Sequence, residues 1–123
     1  ETGQTPAERV MKVQTAYPWG TQWPPPKGAG NYGQSLNLDL HVYTSPVGSF
    51  GPNPFGIYDL GGNVWEWCED WYDPKQAGRV LRGASWYDVD PEFLRSSCRN
   101  RVPPEFNYDT FGFRVVLAAE VSS

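Results

Sequence analysis

The chain of 123 residues is long enough for one domain with one hydrophobic core and too short for two. Its 13 Gly, 12 Pro and 15% aromatic residues argue against a helical bundle, which Gly and Pro interrupt, and against disorder, which is poor in aromatics. A net charge of −4 without a basic run excludes a nucleic-acid groove, and no apolar run is long enough to span a membrane.

The predicted elements are one short helix and a few short strands joined by long loops. The capping-box pattern "TPAE" at Thr5–Glu8 predicts a helix over Pro6–Gln14. The Pro and Gly spacing of residues 17–33 predicts loop. Strands are predicted over Val64–Glu69, within "RVLRGASW" and within "FGFRVVLAAE". The expected fold class is α+β, with much irregular loop, in a single domain covering residues 1–123.

Familiar patterns of catalytic and zinc sites are missing from the sequence. His41 is the only histidine, and no nucleophile-elbow motif accompanies it as a Ser-His-Asp hydrolase would require. One histidine and two distant cysteines, Cys68 and Cys98, do not supply the close ligand spacing of a zinc site. The two cysteines form either one disulfide or two free thiols, a choice that the sequence leaves open.

Oxygen-rich turns offer a site of another kind, for a hard cation. Asp59, Asn63 and Glu66 lie beside a glycine turn, and Asn31 and Asp39 bracket another loop. Calcium takes six to eight oxygen ligands, which such loops can supply. Spacing alone favours the simpler interpretation, in which these are solvated turn residues.

Five motifs are distinctive: "AYPWG", "NYG", "TSPVGSFGPNPFGIYDLGGNVWEWCEDWYD", "RVLRGASW" and "FGFRVV". Together they resemble the formylglycine-generating-enzyme, or sulfatase-modifying-factor, family, which has a C-type-lectin-like fold. The resemblance covers about residues 17–117. The family's usual upstream half, with its "RLPTEAEWEYA"-like segment, is not in this sequence. The resemblance therefore implies a reduced C-type-lectin-like domain, or the later part of a larger one.

The resemblance also implies two structural calcium sites. The first set of matching ligands comprises Asn31, Tyr32, Asp39 and His41. The second set comprises Asp59, Gly62, Val64 and Glu66, and its motif is the better match. A structural ion would tie down loops that have little regular hydrogen bonding.

The same resemblance implies that this chain lacks the catalytic activity of the family's enzymes. Its enzymes use two cysteines shortly after the "GGS[WY]" turn, and the matching positions here are Asp88 and Phe93. Cys98 lies farther along and matches neither position. A carboxylate and a benzyl group cannot bind copper as a thiolate pair or exchange a disulfide. We therefore expect neither bound copper nor oxidase chemistry.

The final loops resemble the ligand-binding region of the variable proteins of diversity-generating retroelements, a subset of this family. Eight positions differ from the asparagine that is common in such relatives: Tyr87, Val89, Phe93, Cys98, Val102, Phe106, Tyr108 and Thr110. With Asp88 they form the candidate ligand-binding set, on a face lined by residues 87–110. The changed positions interleave with "LRSS", "RNR" and "GFR", which keep the scaffold pattern.

These aromatic and aliphatic side chains belong either to the binding face or to the core. We expect the core to contain Trp65, Trp67, Phe111, Phe113 and Val115. We expect the face to expose Tyr87, Val89, Phe93, Phe106 and Tyr108, because Tyr and Phe offer large contact area at little cost in rotamer entropy. Arg99 and Arg101 either join this face or brace the loops by pairing with Asp88 and Asp90, and the motif favours the second role.

The sequence thus predicts a non-catalytic module that binds a ligand, expected to be a protein. It would be a natural variable protein or a binder engineered on that scaffold, monomeric, without a nucleic-acid partner or a membrane span, and displayed outside the cell or at its surface. Two alternatives stay open: a sulfatase-modifying-factor-like enzyme acting on thiols, and an accessory domain excised from a larger protein. Copper binding or thiol oxidation would favour the enzyme.

Overall fold

The computed structural model describes residues 15–119, so the helix predicted over Pro6–Gln14 lies outside the described residues. Within the described range the regular elements are few and short. They are a 3-10 helix at Gln34–Leu36, strands β1 (Trp65–Trp71), β2 (Arg79–Arg82), β3 (Asn100–Val102) and β4 (Phe111–Gly112), and helix α1 (Pro91–Leu94). The α+β class is confirmed, and none of these helices is long and apolar enough to cross a bilayer.

The four strands form one mixed sheet in the order β3-β2-β1-β4. Strands β1 and β2 are antiparallel, with Trp67 opposite Leu81, and β2 and β3 are antiparallel as well. Strand β4 runs parallel to β1, with Trp65 opposite Phe111. The "WEWCEDW" sequence of β1 alternates aromatic and polar residues, which favours a pleated strand with one buried face. The sheet joins the middle of the chain to its final loops.

The hydrophobic core gathers side chains from the sheet and from the loops around it. Its buried members are Tyr32, Leu38, Trp65, Leu81, Ala84 and Leu94. Trp65 and Leu81 come from the two central strands, whereas Leu94 comes from α1. Trp67 and Phe111 are half-buried and pack against this cluster. The core therefore fastens irregular segments to the sheet, and three of the five predicted core residues lie in it or against it.

The prediction that Phe113 and Val115 belong to the core is wrong. Their side chains are 76% and 86% exposed. Strand β4 pairs with β1 only through Phe111 and Gly112 and lies at the edge of the sheet, so no described strand covers the outer side of the residues that follow it. The strand predicted over "FGFRVVLAAE" is therefore only two residues long.

Two other differences from the predicted elements have local causes. Strand β2 stops at Arg82 because Gly83 and Ala84 adopt positive φ, of 102° and 63°, which is incompatible with a strand. Helix α1 was not predicted, although its start is encoded locally: the Asp90 side chain accepts a hydrogen bond from the Glu92 N–H at 2.9 Å. Strand β3 is three residues long and carries too little pattern to be recognised alone.

A buried hydrogen-bond network around Asn63 holds several loops together. Asn63 N–H donates to the Asn31 carbonyl at 2.8 Å, and the Asn63 carbonyl accepts from Trp86 N–H at 2.9 Å. The Asn63 side-chain oxygen accepts from Ser45 N–H at 2.9 Å. Asn31 in turn donates through Nδ2 to the Tyr43 carbonyl at 2.7 Å. Four segments that are distant in sequence are thereby fixed to one another.

We predict that Asn63→Ala lowers the free energy of unfolding by about 2–4 kcal/mol, because it leaves the buried Ser45 N–H without an acceptor and puts alanine in the left-handed region. Asn63 has a φ of 67°, which Gly tolerates without strain. Asn63→Gly therefore serves as the control, and it should lose about 1 kcal/mol less than Asn63→Ala in urea unfolding. Equal losses in the two variants would contradict a contribution from the backbone conformation.

Candidate binding face

Two groups of aromatic rings lie at the surface of the loops, and one hydrogen bond joins the segments that carry them. The ring of Trp86 makes edge-to-face contacts with Tyr43 and Tyr87, at centroid distances of 5.1 and 6.0 Å. Phe106 stacks on Tyr108 at 6.2 Å. Tyr87, Tyr43, Tyr108 and Phe106 are 72%, 64%, 56% and 44% exposed. We call these five residues, Tyr43, Trp86, Tyr87, Phe106 and Tyr108, the aromatic face.

The aromatic face rests on the sheet and on the Asn63 network. Tyr108 packs edge-on against Phe111 of β4 at 5.1 Å, and Phe111 packs against Trp67 of β1 at 5.7 Å. The two halves of the face are joined by a hydrogen bond from Trp86 Nε1 to the Asp109 carbonyl, 3.4 Å long. The rings are therefore held by contacts within the fold while they remain partly exposed, an arrangement that suits contact with another molecule.

Asp88 shapes the loop beneath the face. Its carboxylate accepts hydrogen bonds from the N–H and the hydroxyl of buried Ser85, at 2.8 and 2.6 Å. The Asp88 carbonyl accepts from Gly33 N–H at 2.9 Å. A Cβ at Gly33 would collide with Val89 and lie 2.7 Å from the Tyr87 carbonyl, so this close approach requires glycine. The predicted site residue Asp88 thus stabilises the loop through hydrogen bonds within it.

The remaining predicted ligand-binding residues divide between surface and interior. Val89 and Phe93 are 40% and 42% exposed, and Phe93 also packs edge-on against the core residue Trp65. The other three, Cys98, Val102 and Thr110, are half-buried. Cys98 and Val102 pack against the core, and the Thr110 carbonyl accepts a β1 backbone hydrogen bond. Binding by this set remains a prediction.

Two residues of the aromatic face were missed from the sequence. Trp86 directly precedes Tyr87 in "ASWYD", and the run of two aromatic residues could have drawn attention to it. Tyr43 lies in "HVYTSPVG", more than forty positions away, and no local pattern connects it with the final loops. It reaches the face because its carbonyl is held by Asn31.

The predicted pairing of Arg99 and Arg101 with Asp88 and Asp90 is wrong. Arg101 forms its ion pair with Asp73 at 3.3 Å, and the Arg99 guanidinium lies over the Tyr72 ring at 4.8 Å. The reason is the strand order: β3 lies beside β2, and the loop joining β1 to β2 is therefore close to it. Asp90 instead caps α1.

Both cysteines are free thiols, which settles the choice that the sequence left open. Cys68 and Cys98 are half-buried. Burial raises the pKa of both thiols, although the nearby Arg82 guanidinium opposes this shift. A raised pKa reduces the thiolate fraction at neutral pH, so neither cysteine resembles an activated nucleophile or metal ligand.

The first set of implied calcium ligands has suitable donors. The side-chain oxygen of Asn31 is buried and has no hydrogen-bond partner among the described residues. The neighbouring Asp39 carboxylate accepts N–H bonds from Tyr32 and His41, at 3.3 and 2.8 Å. An unpaired buried amide oxygen is costly unless something satisfies it, and a hard cation would do so. The first set therefore fits calcium by donor chemistry.

Two members of the second set of implied ligands, Asp59 and Glu66, are already engaged within the chain. Both carboxylate oxygens of Glu66 and the carbonyl of Asp59 accept hydrogen bonds from the guanidinium of Arg114. Gly62 is buried and its N–H donates to the Gly83 carbonyl at 2.7 Å. Within residues 15–119 no three His, Cys, Asp or Glu side chains form a group suited to a metal ion.

The fold is a small α+β fold of the C-type-lectin-like type. It consists of a short mixed sheet and long ordered loops, with exposed rings at its surface. The fold matches PvdO from Pseudomonas aeruginosa with a TM-score of 0.62 and 30% identity, over 89% of this chain and 49% of that one. It matches variable protein 1 of Treponema denticola with a TM-score of 0.62 and 26% identity, over 89% and 44%. The predicted fold and the relation to a variable protein are confirmed.

The family model described as the sulfatase-modifying factor enzyme 1-like domain matches residues 4–119, and the chain belongs to this family. It is 34% identical over 102 residues to the formylglycine-generating enzyme of Streptomyces coelicolor, covering 69% of this chain and 32% of that protein. It is 39% identical over 114 residues to the inactive C-alpha-formylglycine-generating enzyme 2 of Mus musculus, covering 84% and 37%.

A third relative is of another kind. Over 88 residues the chain is 41% identical to the serine/threonine-protein kinase pkn1 of Chlamydia caviae, covering 58% of this chain and 14% of that protein. This chain thus spans about a third of the formylglycine-generating-enzyme relatives and a smaller share of the kinase. Proteins named as enzymes and a protein named as inactive both occur among its relatives.

We predict that both thiols of the native protein react slowly with a disulfide reagent such as DTNB at pH 8. Because burial raises their pKa, the thiolate fraction is smaller than for a solvated cysteine, and the rate should be at least several-fold below that of glutathione. After unfolding without reductant, two thiols per chain should react at the glutathione rate, since no disulfide is present. A fast native thiol would contradict this assignment and favour an enzyme.

Proposed function

We propose that this chain is a non-catalytic binding module that recognises a protein ligand through the aromatic face. The observation that carries the proposal is the exposure of Tyr43, Tyr87, Phe106 and Tyr108 in two groups of rings that the hydrogen bond from Trp86 to the Asp109 carbonyl joins. Large rings exposed to water are unfavourable for a domain by itself, and they are enriched where proteins contact one another.

The arrangement of the rings suits an interface in three respects. Tyr and Trp side chains have two χ angles, so little rotamer entropy is lost when they are buried by a partner. Their bases are already fixed by Phe111 and by the hydrogen bond from Trp86 to the Asp109 carbonyl, which reduces the ordering cost further. The phenol hydroxyls of Tyr43, Tyr87 and Tyr108 add polar groups that can hydrogen-bond across an interface.

The positions of the family's catalytic cysteines support a role without catalysis. The Asp88 carboxylate accepts hydrogen bonds from Ser85, and Phe93 packs against Trp65. Neither side chain can supply a thiolate, and the two cysteines present have raised pKa values. Similarity to a protein named as inactive agrees with this proposal, while similarity to proteins named as formylglycine-generating enzymes keeps thiol oxidation as the outcome to test against.

The kinase relative favours a second, compatible role for the module as an accessory domain of a larger protein. A matching segment makes up 14% of that kinase, which places a domain of this kind beside a different activity in one chain. In such a protein the module would recruit a partner while another part acts on it. The same aromatic face would serve this role.

We further propose that one structural calcium ion binds at the first ligand set. Asn31 and Asp39 would supply side-chain oxygens, and Tyr32 and His41 would supply carbonyls. The ion would contribute positive charge that satisfies the buried Asn31 oxygen. Because Asn31 also holds the Tyr43 carbonyl, the ion would stiffen one side of the aromatic face.

We predict that a triple variant, Tyr87→Ser, Phe106→Ser and Tyr108→Ser, loses partner binding while keeping its fold. A protein partner would be isolated by proteome display against the immobilised chain, and its Kd measured for each variant by surface plasmon resonance. Loss of three exposed anchors should weaken binding at least about a hundredfold, since single hot-spot truncations cost 2 kcal/mol or more. The melting temperature should fall by no more than about 3 °C, because these side chains are exposed.

The matched control is Val47→Ser with Phe55→Ser, two apolar residues that are 88% and 87% exposed outside the face. Its affinity should stay within about threefold of the wild type. Equal weakening in the control would mean that the interaction is non-specific adsorption. Unfolding of the triple variant would show that the rings are structural and would remove the basis of the proposal.

We predict that calcium raises the melting temperature of the chain and that Asp39→Asn abolishes the effect. At a calcium concentration of about one hundred times Kd, the ion should add about 2.7 kcal/mol of stability. Differential scanning fluorimetry with calcium and with EGTA measures the difference. Glu105→Gln removes one exposed negative charge elsewhere and should keep the full calcium response. An unchanged response in Asp39→Asn would place the ion away from the first set.

A further inference from the structure

One arginine side chain occupies the second set of implied calcium ligands. Arg114 follows β4 in the chain. Its guanidinium donates from Nε and Nη2 to the two carboxylate oxygens of Glu66, at 2.7 and 2.6 Å. Nη2 also donates to the Asp59 carbonyl at 2.7 Å, and Nη1 donates to the Tyr58 carbonyl at 2.8 Å. Four of the five guanidinium N–H donors are thereby used in one place.

This arrangement occupies the carboxylate that calcium would need most. Both oxygens of Glu66 are bound by the guanidinium, and one oxygen of the Asp59 carboxylate accepts from Gly48 N–H at 2.7 Å. Calcium would have to share Glu66 with a guanidinium already bound to both of its oxygens, and the two cations would repel each other at close range. With Glu66 taken, the remaining Asp59 carboxylate oxygen and the carbonyls of Gly62 and Val64 do not provide the six to eight oxygens that calcium requires. The second set does not fit calcium.

The bidentate geometry explains how a guanidinium can occupy the position of a cation in the second set. An arginine fork matches the two oxygens of a carboxylate, and its remaining N–H groups can reach carbonyls in the same plane. The Arg114 and Glu66 side chains are 35% and 17% exposed, so solvent screens the pair only partly. Arg114 is 48 residues from Glu66 and 55 from Asp59, so one side chain fastens both ends of the turn at residues 58–66 to the segment after β4.

We propose that Arg114 is a built-in cation that replaces calcium in the second site and fixes the turn at residues 58–66 to the end of the sheet. The turn then needs no metal ion, and it presents Asn63 to its loop partners whether calcium is present or absent. This inference concerns the scaffold alone. It does not depend on the partner that the aromatic face binds.

The test counts calcium ions bound per chain by isothermal titration calorimetry on the 123-residue protein and on Glu66→Gln. We expect the wild type and Glu66→Gln to bind the same number of ions, because both carboxylate oxygens of Glu66 are already bound to Arg114. A count that is lower by one in Glu66→Gln would overturn the proposal. Asp39→Asn is measured in parallel, and a count lower by one in that variant would show that the titration detects the loss of a single ion.

A measurement on the wild type keeps the proposal testable if Glu66→Gln does not fold. The Arg114 Nε–H resonance is assigned by nitrogen-15 NMR and followed from EDTA into saturating calcium. We expect an unchanged chemical shift and continued slow exchange with water, because the ion pair stays intact. A shift or loss of the resonance on calcium addition would mean that calcium displaces the guanidinium, and the proposal would then be wrong.

Discussion

The hydrogen bonds of Asn63 are the constraint on which most of this structure depends. With so few residues in strands, the loops cannot satisfy their backbone groups by regular pairing, and a buried group left unpaired costs about 1–3 kcal/mol. Asn63 meets this need with its backbone and its side chain together, binding Asn31, Ser45 and Trp86. Its left-handed conformation turns the chain so that all of these partners are within reach. The irregular loops are therefore ordered without being regular.

The aromatic face inherits its rigidity from this network. Trp86 is fixed through its N–H to Asn63, and Tyr43 through its carbonyl to Asn31, so both sides of the face share one support. Tyr108 gains a second support from Phe111 and the sheet. Rings that are ordered before a partner arrives lose less freedom on binding, and this favours recognition by preformed shape over adjustment after contact.

The sequence predicted the parts of the fold that depend on local pattern and on distinctive motifs. Strand β1, the C-type-lectin-like class and the exposure of Tyr87 are examples. It failed where the outcome depended on distant neighbours. Phe113 has the pattern of a core residue, but β4 is an edge strand, and the partner of Arg101 was decided by strand order. The role of Tyr43 also rests on a contact across the fold that no spacing encodes.

The loop that carries Tyr87 is held almost entirely by backbone atoms and by the Ser85–Asp88 pair. Gly33 N–H bonds the Asp88 carbonyl, and Trp86 N–H bonds the Asn63 carbonyl, so neither contact depends on which side chain points outward. Substitutions at the exposed positions therefore leave the architecture untouched and alter only the chemistry of the surface. In evolutionary terms, the chemistry of the exposed positions and foldability are uncoupled here. A lineage can change this surface without first acquiring stabilising mutations.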